Sequence, residues 1–119
     1  MTFSFAHLLG VAAGGALGAS LRYLFLVFLQ GGALGIFVLN VAGSLLLGLL
    51  LSAVGEKSPA LTAFAGTGLL GALTTYSTFS GDLVRLFGQS MQSAVLYGAA
   101  SLALGVVAFL LGTWLGRLL

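Results

Sequence analysis

Four long apolar stretches, residues 3–29, 34–54, 60–80 and 94–115, make up most of the chain, and short polar breaks separate them. A helix that crosses a membrane takes about 20 mainly apolar residues, within a range of roughly 17–25. Each stretch therefore has the length of a span. The breaks are Gln30-Gly31-Gly32, then Gly55-Glu56-Lys57-Ser58-Pro59, then residues 81–92, and they hold nearly all the charges and the only proline. The pattern predicts an all-α integral membrane protein with four transmembrane helices, a single domain over residues 1–119 embedded in a lipid bilayer. The first stretch lacks a basic start and exceeds the length of a signal core, so it reads as a permanent helix.

Composition narrows the class further. The chain is 60% hydrophobic and 5% charged, against about 25% charged in a soluble domain. Its mean hydropathy of +1.21 leaves too little polar surface for a water-soluble globule and excludes intrinsic disorder. A net charge of +2 is too small a footprint for nucleic acid. With no cysteine and a single histidine, His7, no thiolate or histidine metal centre is available. Four spans would put both termini and the second connection on one side, with Lys57 and Arg117, and leave Arg85 and Arg22 toward the other. Two basic residues against two give no bias toward positive-inside orientation. Insertion both ways round is expected, and with it an antiparallel, dual-topology homodimer.

Nineteen glycines fall at helix-contact spacings. Gly10, Gly14 and Gly18 are four apart, Gly98, Gly105 and Gly112 seven apart, and Ala108, Gly112 and Gly116 four apart again. Small residues let helices approach closely in lipid, so these positions read as packing seams without chemistry.

The informative residues are the polar ones inside spans, since each costs free energy without a partner. Asn40 is the only side-chain amide well inside a stretch. It either joins two helices by a hydrogen bond or turns its NH2 to a pathway and donates to an anion. Residues 74–80 read Thr74-Thr75-Tyr76-Ser77-Thr78-Phe79-Ser80 and follow Gly66, Gly68 and Gly71. A continuous helix can bond such hydroxyls back to its own carbonyls. Alternatively the helix breaks here, which is tolerated at membrane depth only where protein, water or an ion satisfies the backbone, and broken helices often mark ion sites. Tyr97 and Ser101 share a helical face. No acid is expected inside a span, because Glu56 and Asp82 both fall in predicted connections. Neutral donors without carboxylates suit a passive anion pathway better than proton-coupled transport.

Three motifs carry a resemblance. Gly14-Gly15-Ala16-Leu17-Gly18-Ala19-Ser20-Leu21-Arg22-Tyr23 resembles the GGxxGAxxRY first span of the Fluc (CrcB-type) fluoride channels. Asn40 with Gly43 and Gly48 is similar to their NxxGxxxxG second span, and residues 71–80 to their GxxTTFSTFS third span. The resemblance implies small dual-topology homodimers in the prokaryotic plasma (inner) membrane, with two pores per dimer, exporting fluoride passively from the cytoplasm. It also implies a broken third helix and a structural sodium ion at the dimer interface, held by the Gly71 and Thr74 carbonyls. By motif position, Tyr76 and Phe79 line the fluoride paths and Asn40 is the pore asparagine. Ser77, Thr78, Ser80, Tyr97 and Ser101 match the polar track. Tyr76 departs from the usual phenylalanine, Ala72 replaces a frequent glycine, and Gly105 stands where some relatives have serine.

The chemistry behind these roles is coherent. Fluoride is strongly hydrated, so donors must replace its shell. Asn40 and the hydroxyls donate, and an aromatic ring presents a positive edge to an anion. Arg22 either raises the anion concentration at a vestibule or snorkels toward the headgroups. Small multidrug transporters share the size but need an acid in the first span, which this chain lacks. A pure assembly protein leaves Asn40 and the hydroxyl run unexplained, and no nucleophile–base–acid set points to an enzyme.

Overall fold

The computed structural model describes residues 2–119, and among these it is helical with no strand. Helix α1 is Phe5–Phe28, opened by Ser4, whose hydroxyl accepts from the His7 N–H. A turn at Gln30, Gly31 and Gly32, all at positive φ, reverses the chain into α2, Ala33–Ala53. The two glycines meet this left-handed requirement without a Cβ clash. A short 3-10 turn, Gly55–Lys57, then leads to Ser58, whose side chain accepts from the Leu61 N–H. Pro59 follows at the first helical position, where its missing N–H costs nothing.

The third helix, α3 (residues 59–73), is irregular. It begins as Pro59–Leu61, widens into a π-helical stretch over Thr62–Leu70, and closes with one α turn, Gly71–Leu73. Thr74 and Thr75 are extended, at φ −84°, ψ 157° and φ −151°, ψ 120°. Helix α4, Tyr76–Gln89, starts at once, and α5, Met91–Gly116, follows after Ser90 alone. The break expected among the third-span hydroxyls therefore falls at Thr74–Thr75.

Beyond the break the sequence reading needs correction. Residues 81–92, predicted as a connection, are helical except for Ser90. Gly81 and Gly88 disguise the helix, because an interior glycine costs about 1 kcal/mol relative to alanine. Packing offsets that cost. Leu83 and Leu86 are half-buried, and a Cβ on Gly98 of α5 would lie 3.3 Å from Leu83 Cδ1. Asp82 consequently sits on a helix and not in a loop.

Three helices, α1, α2 and α5, are each long and apolar enough to cross a membrane. They pair through the glycine seams. α1 lies along α3, where a Cβ on Gly14 or Gly18 would overlap the carbonyls of Phe64 or Leu69. α2 lies along α5, where Gly48 faces the Phe109 carbonyl and Gly112 that of Leu45. Little of the bundle is enclosed. Ile36 at 2% and Leu39 at 5% exposure are among its few buried large side chains, while leucines, valines and phenylalanines cover the outside. Such an inverted surface suits hydrocarbon, not water.

Candidate functional site: a cavity at the helix break

Breaking a helix orphans backbone groups at both new ends. The last carbonyls of α3, from Gly71 to Thr74, have no N–H following in register, and the first N–H groups of α4 lack carbonyls. At the α4 end one N–H is capped locally. Thr75 Oγ1 accepts from the Thr78 N–H at 3.2 Å, an N-cap bond. The hydroxyls of Ser77 and Thr78 lie 3.2 Å from the same oxygen.

The extended residues are held from two other helices. Asn40 on α2 accepts the Thr75 N–H at its Oδ1, 2.9 Å, and donates from Nδ2 to the Thr75 carbonyl, 3.1 Å. This two-way bond fixes which end of the amide is which, since only oxygen can accept the N–H. It also fits the sequence reading of Asn40 as a residue that joins helices. One amide hydrogen remains beyond those two bonds. Arg22 on α1 donates from Nη1 to the Thr74 carbonyl at 3.3 Å. Gly43 lies close beneath, and a Cβ there would overlap Thr74 Cγ2 and force that side chain to shift.

Beside the break opens a cavity of about 280 Å³. Asn40, Gly71, Thr74, Tyr76, Phe79 and Ser101 all line it, with Thr75, Gly43 and Ser44. No charged side chain does. Six of the residues singled out in the sequence are thus brought together from four helices and the break between two of them. The others lie around them. Phe79 forms the middle of an aromatic row, its ring centroid 6.1 Å from Tyr76 and 5.3 Å from Tyr97. Tyr76 is 80% exposed in the single chain. Ser80 turns its hydroxyl to the Tyr76 carbonyl at 3.0 Å, the self-bonded arrangement open to any helical serine.

The hydroxyls of Tyr97 and Ser101 are buried and have no hydrogen-bond partner among the described residues. Buried polar atoms nearly always find a partner, so this pair stands out. Asp82 adds a correction: the interior expected to lack carboxylates holds one nearby. Its Oδ1 receives Arg85 Nη2 at 3.3 Å, and its Oδ2 is buried without a partner. Thr75, 9% exposed, was not singled out in the sequence although it organises the break. Its position as the first hydroxyl able to cap the helix resuming at Tyr76 was the available signal.

Of the two carbonyls assigned to sodium by resemblance, that of Gly71 belongs to the last turn of α3 and that of Thr74 to the extended residue that follows it. The Gly71 carbonyl lies at the negative end of the α3 dipole. Among the described residues Thr74 O receives only Arg22, and Gly71 O accepts no bond from outside its helix. Neutral oxygens short of donors suit a monovalent cation, and the residues fit that group.

Comparison with known proteins gives the family. The family described as CrcB-like protein, Camphor Resistance (CrcB), matches residues 9–113. A protein of Bacillus subtilis named fluoride-specific ion channel FluC 2 is 45% identical, over 87% of this chain and 82% of its own length. Chelativorans sp. has a fluoride-specific ion channel FluC that is 40% identical over 93% and 96%. In Streptomyces avermitilis the protein named fluoride-specific ion channel FluC 1 is 44% identical over 92% and 94%. The chain belongs to the CrcB family. It is a multi-pass protein of the prokaryotic plasma membrane and not an enzyme.

Proposed function

We propose that this chain is a passive, fluoride-selective channel that lets cytoplasmic fluoride leave the cell. The observation that carries the reading is the buried, partnerless hydroxyl of Ser101 on the wall of a cavity also lined by Asn40 and Phe79. A bare fluoride ion would draw donors there. Ser101, Tyr97 and the remaining amide hydrogen of Asn40 donate, and the edges of Phe79 and Tyr76 present partial positive charge. Such donors hold the anion weakly enough to release it, as conduction requires. Ser77, Thr78 and Ser80 extend the polar track along α4.

In this reading α3 and α4 together make the remaining crossing, giving four spans with a broken third. Two chains pair antiparallel, because Lys57 and Arg117 balance Arg85 and Arg22 and neither orientation is favoured. Each chain brings one pore. A structural sodium ion at the dimer centre would be held by the Gly71 and Thr74 carbonyls of both subunits, and two neutral oxygens per chain are too few without a partner. Bound there, it would supply fixed positive charge between the pores. The exposed ring of Tyr76 would then lie against the partner.

The test is release of fluoride from liposomes holding the purified protein and loaded with potassium fluoride. A potassium ionophore is added, a fluoride electrode follows release, and chloride-loaded vesicles run alongside. Ionophore-dependent fluoride release without chloride release is expected. Release without the ionophore would mean electroneutral exchange, and no release from folded dimers would leave only a packing role.

A further inference from the structure

We infer that the guanidinium of Arg22 is a built-in cation at the sodium site, so that sodium and Arg22 oppose one another at the Thr74 carbonyl. The inference rests on the sodium site proposed above and deepens it into a mechanism that sets that site's affinity. Arg22 Nη1 donates to Thr74 O at 3.3 Å, across 52 residues of sequence. Its placement is not a chance rotamer of a free surface residue. Gly18, one turn earlier and on the same face of α1, is pressed against the Leu69 carbonyl. Any movement of this part of α1 away from α3 must open that contact.

The chemistry of the contact sets its consequence. A carbonyl oxygen has two lone pairs, so Thr74 O can meet a guanidinium and a sodium ion together. Arginine does not lose its proton in proteins, so its charge is permanent. Two unit charges about 5 Å apart at an effective dielectric near 20 repel by enough to change a cation's affinity about a hundredfold. Sodium must therefore either bind weakly or loosen Arg22, and by reciprocity Arg22 weakens sodium by the same factor. Without sodium, Arg22 leaves the Thr74 carbonyl satisfied and preserves the break within one chain. With sodium, the guanidinium is freed toward the aqueous side. Sodium thereby becomes a switch for where this positive charge stands.

The full-length protein in detergent, unfolded by heat and followed by the emission of Trp114, its single tryptophan, tests this against sodium chloride with choline chloride as balance. A ligand that binds only the folded protein raises the unfolding temperature as its concentration passes Kd. Arg22→Gln keeps a donor and removes the charge, and should lower the half-saturating sodium concentration by about tenfold or more. Sodium dependence in Arg22→Gln alone would also support the inference, with Arg22 excluding sodium from the natural chain. An equal midpoint in both proteins overturns the inference and leaves the sodium site standing. No sodium dependence in either overturns both. A second measurement needs no variant: phenylglyoxal labelling of the natural chain, located by mass spectrometry, with Arg85 and Arg117 as internal references. Where sodium raises the unfolding temperature of the natural chain, Arg22 should react at least about threefold faster with sodium present, as expected for a freed guanidinium, and an unchanged rate there overturns the inference.

Discussion

Asn40 offers the sharpest test of how the helix break is held. Replacing it with leucine keeps a side chain of similar size, and the adjoining cavity of about 280 Å³ has room for the branched end. Both hydrogen bonds to Thr75 vanish. The Thr75 N–H is left without a partner in a residue only 9% exposed, and its carbonyl has no other donor among the described residues. An unpaired buried polar group costs about 1–3 kcal/mol. Hydrogen bonds between membrane helices have measured nearer 0.6–2 kcal/mol, because chains unfolded in lipid find other partners. Two such losses give about 3 kcal/mol for Asn40→Leu. Ser44→Ala is the internal control: its hydroxyl only donates to the Asn40 carbonyl one turn back in the same helix, and losing it should cost under about 0.5 kcal/mol. Unfolding in mixed micelles of increasing SDS fraction, read by Trp114 emission, measures both. A cost for Asn40→Leu as small as that for Ser44→Ala would falsify the assignment of Asn40 as the pin of the break.

The remaining predictions concern the pathway and the seams. Phe79→Ile should keep dimer assembly yet slow or abolish fluoride release from liposomes, since the polar ring edge between Tyr76 and Tyr97 is lost; undiminished release removes that ring from the mechanism. Asn40→Asp should block fluoride release at neutral pH through like charge in the cavity, and normal release there would confine Asn40 to a packing role. Gly112→Ala drives a methyl into the Leu45 carbonyl and should destabilise by about 1–3 kcal/mol in the same micelle titration. Gly88→Ala meets nothing within 4 Å and should be neutral or stabilising by up to about 1 kcal/mol. Equal effects at the two glycines would contradict the packing seams.

Much of this protein is legible before any fold is known, because a bilayer imposes a simple rule. Long apolar runs must be helices, since no water is present to satisfy a backbone otherwise. Residues 3–29, 34–54 and 94–115 accordingly contain α1, α2 and α5 within a few residues. The seam at Gly14 and Gly18 and that at Gly112 were visible as spacing, and so was the unusual density of hydroxyls at residues 74–80. Local pattern failed where two glycines and scattered charges broke the apolar count. Helix α4 extends through Gln89 because Leu83 packs on Gly98 of α5, a contact between residues that no local window relates.

Tertiary structure alone decided what the polar groups do. The sequence left Asn40 open between joining helices and facing a pathway, and packing of α2 against the break ties its amide to Thr75 while leaving it on the cavity wall. Arg22 read as a vestibule charge or a snorkelling one, yet the seam at Gly18 brings it to the Thr74 carbonyl. Thr75 looked like one hydroxyl among five and is the residue from which α4 starts. The physical reason is common to all three. Apolar burial in lipid depends on composition and is written along the chain, whereas a hydrogen bond needs a donor and an acceptor within about 3 Å. That proximity exists only after α1 and α2 have closed on the broken helix.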